Sequence, residues 1–382
     1  MPRFVIAPDS FKESLTAMQA CHAMQRAICS FLPQAECICV PMADGGEGTL
    51  DALMQVCKLE KIACQVQGPL PEQQIDSYFA LTDAGKTAII EMAKANGIAL
   101  LKPEQRNPML TSTYGTGQML LHALDLGVDK VIIALGGSVT NDGGSGLAQA
   151  LGVGFYDRLG QQLHVCGGNL NQIDDIDTTH LDARLRQIEI IIASDVSNPL
   201  CGSTGASYVF GPQKGATPAM VEQLDANLAH YARKVSEVVG KDLAGQRGAG
   251  AAGGLAFALM VFCGAHIQSG AEFVIQQTGL AQHMQQADYV LTGEGTIDAQ
   301  THLGKTPYAV ARLAQQFNIP VIAFAGVVGE GIEDLYTQGF HDIVSINPKG
   351  ISQEQAMQNA ALYLEQATAK WLSIAHQEFL LK

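Results

Sequence analysis

The sequence has few charged and few aromatic residues, and its basic residues are outnumbered by acidic ones. Charged residues make up 16% of the 382-residue chain and aromatic residues 6%, with a single tryptophan. The 23 basic and 37 acidic side chains give a net charge of −14. Such a surface repels polyanions and argues against nucleic acid as a partner. With 47% hydrophobic residues and 40 glycines, the chain is typical of a compact enzyme large enough for two domains.

Cysteine pairs with metal-binding spacing are absent as well. The nine cysteines form no C-x-x-C motif, and their odd number suggests neither a zinc site nor a disulfide framework. Free thiols persist in a reducing compartment, and the apolar run at the N-terminus is too short for a signal peptide. We therefore expect a cytoplasmic protein.

One uncharged stretch, residues 248–271, is long enough to cross a bilayer. It begins with the Gly- and Ala-rich segment GAGAAGG, and only residues 255–262 are strongly apolar. We expect a buried, tightly packed helix here and no membrane partner.

Short apolar runs alternate with amphipathic stretches along most of the chain. The runs are nearly continuous in hydrophobicity, which predicts strands covered on both faces, as in parallel sheets. They are residues 4–10, 37–46, 130–138, 188–195, 287–295, 320–329 and 341–347. The predicted helices are 16–31, 115–126, 218–239, 305–317 and 352–376, the last with a capping box at Ser352 and Gln355. Residues 62–92 alternate between apolar and polar and predict antiparallel hairpins.

This pattern predicts an α/β protein with two domains. Residues 1–64 and 271–382 are expected to form a doubly wound, mostly parallel sheet of the Rossmann or flavodoxin-like type. Residues 65–270 are expected to form an inserted mixed-sheet domain. Ligands of open α/β sheets bind outside the carboxyl ends of the strands, and small ligands often bind between domains. We therefore expect the active site in the cleft between the two domains.

The glycine-rich loop after the strand at 130–135 is the most informative candidate site. Glycines let backbone N–H groups converge on an anion, and hydroxyl and amide side chains add hydrogen bonds. The candidate anion-binding residues are Gly136, Gly137, Ser138, Thr140, Asn141, Gly143 and Gly144. The Asp142 carboxylate would instead hold Mg²⁺. The alternative interpretation is a tight strand–helix turn in which Asp or Asn caps the helix.

Polar residues also stand at the ends of other predicted strands. Lys12 offers the cation that an anionic substrate needs, and Asp195 is placed to take a proton from a hydroxyl group or to bind a metal. The remaining candidates at strand ends are Asp9, Ser10, Asp44, Asn198, Lys214, Gly293, Glu294, Gly295, Asp298 and Lys305. The alternative interpretation is a solvated lysine at a helix start for Lys12, and a capped helix start for the segment that contains Asp44. Each of the other candidates is weak when taken alone.

The common nucleotide-binding motifs do not account for these loops. Residues 248–253 match G-x-G-x-x-G, but no predicted strand precedes them. The segment Gly304-Lys305-Thr306 resembles the end of a P-loop, but residue 299 is alanine where the motif needs glycine. The protein-kinase signature is also missing. A kinase with this sequence would use a phosphate loop of its own.

Seven segments, in order from residue 7 to about 330, resemble the type-1 glycerate kinases. They are PDSFKESLTA, PMADGGEGT, TSTYGTGQ, ALGGSVTNDGGSGLAQALG, SDVSNPLCGSTGASYVFGPQKGA, GAGAAGGL and LTGEGTIDAQTHLGKTP. Glu13 departs from the pattern, because the family has glycine there. The resemblance implies two α/β domains and Mg²⁺-dependent transfer of the ATP γ-phosphoryl group to D-glycerate. It implies 2-phosphoglycerate as product, with 3-phosphoglycerate as the alternative.

With these substrates in mind, we predict a role for each candidate residue. The loop 136–144 is expected to bind ATP phosphates together with Lys214, Gly293, Gly295 and Lys305. Asp195 would orient or deprotonate the attacking hydroxyl, and Lys12 would act with it as a catalytic residue on the glycerate carboxylate or the transferring phosphate. The predicted substrate-binding residues are Asp9, Ser10, Lys12, Asp44 and Asn198. The predicted Mg²⁺ ligands are Asp142, Glu294 and Asp298.

Two other functions stay open from the residues alone. One is a nucleotide-dependent oxidoreductase that uses the GAGAAGG segment, and the other is a non-catalytic small-acid-binding protein. The sequence does not distinguish a monomer from a homodimer.

Overall fold

The computed structural model describes residues 1–379, which fold into two compact units. Of the described residues, the first unit contains 1–44, 51–57 and 271–379, and the second contains 45–50 and 58–270. The expected domain boundary after residue 64 falls inside a strand, Glu60–Gln67. That strand pairs with Gln74–Thr82 of the second unit along its whole length, so its hydrogen bonds place it there.

The strands are β1 (Arg3–Ile6), β2 (Glu36–Cys39), β3 (Glu60–Gln67), β4 (Gln74–Thr82), β5 (Thr87–Glu91), β6 (Lys130–Ala134), β7 (Gly154–Tyr156), β8 (Asp175–Asp177), β9 (Glu189–Ala193), β10 (His266–Gln268), β11 (Tyr289–Ile297), β12 (Val321–Val328) and β13 (Phe340–Ser345). The α-helices are α1 (Ala17–Phe31), α2 (Thr49–Val56), α3 (Ala93–Asn96), α4 (Tyr114–Asp125), α5 (Ser145–Ala150), α6 (Ala206–Phe210), α7 (Pro218–Val239), α8 (Ala251–Phe262), α9 (Gly270–Thr278), α10 (Leu280–Met284), α11 (Thr306–Gln316), α12 (Glu333–Thr337), α13 (Gln353–Gln358) and α14 (Ala360–Phe379). Short 3₁₀ helices span Asp83–Gly85, Ile98–Leu100, Pro103–Gln105, Leu170–Gln172, Ala183–Arg186, Pro212–Lys214 and Ala299–Leu303.

The first unit is built on a parallel five-stranded sheet in the order β13-β12-β11-β1-β2. Its central strands carry continuous apolar runs because both faces of the sheet are covered. Helices α1 and α14 contribute to the core, where Trp371 packs edge-on against Tyr289 and donates from Nε1 to the Asp342 carboxylate at 2.8 Å. The prediction of a parallel sheet in this part of the chain is confirmed.

The second unit is built on a mixed six-stranded sheet in the order β10-β9-β6-β5-β4-β3. Strands β3, β4 and β5 are antiparallel neighbours, and β5, β6, β9 and β10 run parallel. The antiparallel hairpins predicted for residues 62–92 are therefore confirmed. The parallel strands end together at one edge of the sheet, and the loops that leave this edge carry most of the candidate residues of this unit.

One predicted helix agrees with the structure, and another differs in detail. Helix α8 is almost wholly buried, as predicted for residues 255–262, and no helix within residues 1–379 is long and apolar enough to cross a membrane. The helix predicted over 352–376 is divided into α13 and α14. The division lies at Asn359, whose side-chain amide donates to the Gln355 carbonyl at 2.9 Å and so competes with continued helix. The capping box at Ser352 and Gln355 is confirmed.

Candidate functional site

The loop of residues 136–144, called the glycine loop below, connects β6 to α5 and is organised by Asp142. The buried Asp142 carboxylate accepts hydrogen bonds from the backbone N and the hydroxyl of Thr113, both at 2.8 Å. It also accepts from the backbone N of Gly144 at 3.1 Å and of Gly146 at 3.2 Å. Burial raises the pKa of Asp142, while these four donors act in the opposite direction. Both carboxylate oxygens thus have protein partners.

The Asp142 oxygens thus fix the path of the glycine loop. The predicted role of Asp142 as a metal ligand stays a prediction. Thr113 is the hydrogen-bond partner of Asp142 that the sequence interpretation missed. Its hydroxyl donates to Asp142 and accepts from Leu147 N at 2.9 Å. Thr113 lies in the segment TSTYGTGQ, one of those that resemble the glycerate kinases. Nothing in the residues around it identifies Asp142 as its partner.

Lys214 lies beneath the glycine loop with 2% of its surface exposed. Its Nζ donates to the Ser138 hydroxyl at 2.8 Å and to the Thr140 carbonyl at 2.6 Å. Burial lowers the pKa of Lys214 to about 7, and the charge of Asp142 partly opposes this shift. The structure therefore brings together Lys214 and the glycine loop, which the sequence analysis predicted to act together.

Three buried polar atoms of this region have no hydrogen-bond partner within residues 1–379. They are Thr140 Oγ1, Asn141 Oδ1 and Ser145 Oγ. The amide nitrogen of Asn141 is engaged, because it donates to the Ser207 hydroxyl at 2.9 Å. Unsatisfied buried polar atoms are rare and costly in folded proteins. Their clustering in the glycine loop and at the first residue of α5 is typical of a site that binds a polar ligand.

The GAGAAGGL segment supports the glycine loop from behind. Gly143 N donates to the Gly253 carbonyl at 2.9 Å. A Cβ atom on Gly253 would lie 2.1 Å from the Thr140 carbonyl oxygen, and one on Gly254 would lie 2.7 Å from Gly143 Cα. These glycines are needed for close backbone packing, which accounts for the motif without a dinucleotide.

A second glycine segment, residues 45–48, contacts the start of the glycine loop. A Cβ atom on Gly136 would lie 2.1 Å from Gly46 Cα, so the two backbones approach closely. Glu91, at the carboxyl end of β5, is fully buried and accepts from Gly48 N at 3.0 Å and from Leu50 N at 2.9 Å. Sequence reasoning also missed Glu91, whose position at the end of an apolar strand was the only signal.

Asp195 and Asn198 follow β9 at the same edge of this sheet. Asp195 is half-buried. The amide of Asn198 donates to the Thr204 carbonyl at 2.8 Å, and its backbone carbonyl accepts from Gly250 N at 3.0 Å. Asn198 therefore holds its own loop together, and the substrate-binding role of its side chain stays a prediction.

In the first unit, Asp9 follows β1 and is almost completely buried. It accepts from the Thr306 hydroxyl at 2.5 Å and from Ser10 N at 2.6 Å. Burial raises the pKa of Asp9 to about 7, and the neighbouring Asp44 raises it further, whereas the two hydrogen bonds and Lys12 lower it. Lys12 itself is exposed. The predicted substrate-binding residues Asp9, Ser10, Lys12 and Asp44 thus lie together, with Thr306 as an unforeseen partner.

Glu294 and Lys305 form an ion pair next to this group. Lys305 Nζ lies 3.3 Å from Glu294 Oε1 and 3.7 Å from Asp298 Oδ1. Burial raises the pKa of Glu294 to about 8; Lys305 opposes the shift, and Asp9 and Asp44 add to it. Asp298 also caps a 3₁₀ helix by accepting from Gln300 N at 2.9 Å. Lys305 is therefore engaged with the two carboxylates that were predicted as metal ligands.

Gly293 and Gly295 lie within β11 and not in a loop. A Cβ atom on Gly293 would lie 2.3 Å from the Phe324 carbonyl oxygen of the neighbouring strand. Strand packing accounts for the glycine at position 293, and its phosphate-binding role stays a prediction. Around Gly295 the nearest atom to such a Cβ is Lys12 N at 3.9 Å, so this glycine leaves open space beside Lys12.

Comparisons with known proteins agree along the whole chain. The model of the glycerate kinase family matches residues 4–376. The chain is 45% identical to a glycerate kinase of Halalkalibacterium halodurans over 96% of both chains. It is 43% identical to the glycerate 2-kinase of Escherichia coli over 90% of both. A solved structure from Salmonella typhimurium LT2, described by the name glycerate kinase 2, superposes over the full length of both chains with a TM-score of 0.81 and 39% identity.

Proposed function

The chain belongs to the glycerate kinase family, and on this premise we propose that it transfers the γ-phosphoryl group of ATP to the 2-hydroxyl group of D-glycerate. As a family member it is a phosphotransferase. The name glycerate 2-kinase, carried by the Escherichia coli relative, supports 2-phosphoglycerate as the product. Phosphorylation at the 3-hydroxyl is the alternative.

The observation that carries the proposal is the buried Lys214 under the glycine loop. Phosphoryl transfer needs positioning and charge neutralisation more than covalent help from the protein. A phosphate group bound at the loop would find donors in the Ser138, Thr140 and Ser145 hydroxyls, of which Thr140 and Ser145 have no partner among residues 1–379. Its negative charge would also favour the protonated form of Lys214, whose pKa burial lowers to about 7. We assign ATP phosphate binding to this loop.

We assign the attacking hydroxyl of glycerate to Asp195. Asp195 comes after Ser194 beyond the end of β9, at the sheet edge from which the glycine loop also leaves. A carboxylate at this position orients the hydroxyl group and accepts its proton as the new P–O bond forms.

We assign the glycerate carboxylate to Lys12 and its neighbour Ser10. The exposed Lys12 ammonium supplies a positive charge in a chain whose net charge is −14. Asp9 and Asp44, which lie close to each other, are suited to accept hydrogen bonds from the hydroxyl groups of the substrate.

Mg²⁺ would be held in part by Glu294. Kinases bind Mg²⁺ through one or two carboxylates plus substrate phosphates, so a complete protein cage is not required. Among residues 1–379, no group of three or more His, Cys, Asp or Glu side chains is arranged to hold a metal ion. Glu294 fits the partial site, because Asp9 and Asp44 add negative charge beside it. The cation would neutralise charge on the transferring phosphoryl group.

A coupled assay of ADP release tests this function with the full chain. D-Glycerate with Mg-ATP should release ADP, and omission of Mg²⁺ should stop it. Lys214→Met should lower turnover by about 100-fold or more, the size of effect seen when one preorganised charge-stabilising group is removed. The matched control is Lys234→Met on α7, since Lys234 pairs with Asp174 away from the loop.

Each competing function predicts a different result when ligand binding is measured beside the ADP assay. Binding of D-glycerate without release of ADP would point to a small-acid-binding protein. Saturable binding of NADH, detected by its fluorescence, would point to an oxidoreductase. Either result, in the absence of ADP release, would overturn the proposal.

A further inference from the structure

Four of the nine cysteines gather between helix α1 and strand β2 of the first unit. Cys21 and Cys29 lie on the helix, and Cys37 and Cys39 lie on the strand. Residues two apart on a strand face the same side, so Cys37 and Cys39 both face α1. Because α1 connects two parallel strands, β1 and β2, it runs back along the sheet.

This direction brings the four thiols together as two pairs. The thiol of Cys21 lies within hydrogen-bonding reach of Cys39, and the thiol of Cys29 lies within reach of Cys37. No cysteine group within the described residues 1–379 is arranged to hold a metal ion. The clustering therefore needs an explanation other than a soft-metal site.

The two pairs differ in their access to solvent. Cys21 is completely buried, and its Sγ contacts the Ile6 carbonyl at 3.5 Å. Cys29 is exposed, and Cys37 is half-buried. A small oxidant in solution reaches the outer pair, Cys29 and Cys37, and is shielded from Cys21.

We propose that Cys29 and Cys37 form a redox-active thiol pair that hydrogen peroxide converts into a disulfide. In the first step, the Cys29 thiolate attacks one peroxide oxygen; an S–O bond forms, the O–O bond breaks, and water leaves after protonation. In the second step, the Cys37 sulfur attacks the sulfenic sulfur of Cys29, the S–S bond forms and a second water leaves. Two thiols are oxidised and one peroxide is reduced to two waters.

The order of the two steps follows from the surroundings of Cys37. Burial raises the pKa of Cys37 to about 12, and the neighbouring Cys29 and Glu36 add to the shift. A thiol held protonated is a poor nucleophile towards peroxide, so attack begins at the exposed Cys29. Once Cys29 is a neutral sulfenic acid, its charge no longer opposes ionisation of Cys37, and the resolving step becomes easier. This site is independent of the kinase reaction.

Peptide mapping of the full chain after brief treatment with hydrogen peroxide tests the proposal. After alkylation of the remaining thiols, trypsin leaves Cys29 and Cys37 in one peptide, residues 27–58, and Cys21 in another, residues 13–26. The expected product is peptide 27–58 with two unalkylated cysteines and two hydrogens fewer. Further cleavage after Glu36 should yield residues 27–36 still linked to the fragment that contains Cys37. A disulfide of the inner pair would instead link the two tryptic peptides.

Single serine variants identify the partners. Cys29→Ser and Cys37→Ser should each abolish the link, whereas Cys39→Ser, a change on the same strand in the inner pair, should keep it. Cys29 is exposed, so Cys29→Ser is expected to fold even where a strand variant does not, which a circular dichroism spectrum verifies. A link that survives in Cys37→Ser, or stable sulfinic and sulfonic acids at Cys29 without any link, would overturn the proposal.

Discussion

The substitution Asp142→Asn tests whether the Asp142 carboxylate organises the glycine loop or binds a metal ion. In the wild type, Asp142 Oδ2 accepts three hydrogen bonds, two from Thr113 and one from Gly146 N, and Oδ1 accepts one from Gly144 N. Asparagine has one acceptor oxygen. The less costly orientation keeps that oxygen at the Oδ2 position and turns the NH₂ group towards Gly144 N–H, where two donors then face each other.

The size of the effect follows from these four bonds. Three bonds change from a charged to a neutral acceptor and weaken by about 1 kcal/mol each, and one buried N–H loses its partner at a cost of about 2 kcal/mol. The neutral amide avoids about 2 kcal/mol of the penalty for burying a charge. We therefore expect Asp142→Asn to destabilise the second unit by about 3 kcal/mol.

Urea unfolding followed by far-UV circular dichroism measures this loss. With an m-value of about 3 kcal/mol/M, the midpoint of the second unit should fall by about 1 M. The single tryptophan, Trp371, lies in the first unit, so tryptophan fluorescence reports the other unit as an internal reference. Thr113→Val should also destabilise, because it removes the hydroxyl that bonds Asp142 and Leu147 N, whereas Thr113→Ser should not.

The reasoning would be refuted by an Asp142→Asn protein with an unchanged urea midpoint and a raised Mg²⁺ requirement. That result would favour Asp142 as a metal ligand. Unequal effects of Thr113→Val in the wild-type and Asp142→Asn backgrounds are expected, since residues that share a hydrogen bond do not act additively.

Three further predictions concern the active carboxylates and one strained residue. Asp195→Asn should lower turnover by about 100-fold or more with an unchanged circular dichroism spectrum; a fully active variant would remove Asp195 from the mechanism. The pKa of Glu294 is raised from 4.5 to about 8, so the folded state holds the proton more tightly and stability should fall as pH rises from about 4.5 to 8. Thermal unfolding followed by Trp371 fluorescence should show a flatter fall in Glu294→Gln, and an unchanged slope would contradict the shift. Glu13 has a φ of +61°, so Glu13→Gly should stabilise the chain by about 1 kcal/mol; an equal gain in Glu13→Ala would show that backbone strain is not the cause.

The sheets of both units were predictable because their strands are buried on both faces. A run such as residues 130–135 is apolar at every position, and only a covered parallel strand accommodates that pattern. The antiparallel part of the second sheet was equally predictable, because apolar and polar residues alternate over residues 62–92. The end of β11 was harder to predict: the predicted strand stops at residue 295, whereas β11 continues to Ile297. The close approach of the Phe324 carbonyl that requires Gly293 is a tertiary contact.

The members of the candidate site were easier to predict than their roles. A carboxylate among glycines is visible in the sequence, but whether its oxygens are available depends on distant donors. The Asp142 carboxylate accepts from Thr113, and Lys305 lies within ion-pair distance of Asp298 and Glu294. At Glu13, by contrast, the structure explains a feature that the sequence alone already shows. Its departure from the family's glycine is visible in the sequence, and the positive φ supplies the physical reason for that glycine.

Phosphorus NMR of the reaction product tests the central claim most directly. The full chain is incubated with D-glycerate, ATP and Mg²⁺, and the proton-coupled phosphorus signal of the new ester is recorded. We expect a doublet, because the phosphate of 2-phosphoglycerate couples to the single hydrogen on C2. A triplet from the two hydrogens on C3, or no new phosphate ester, would contradict the claim.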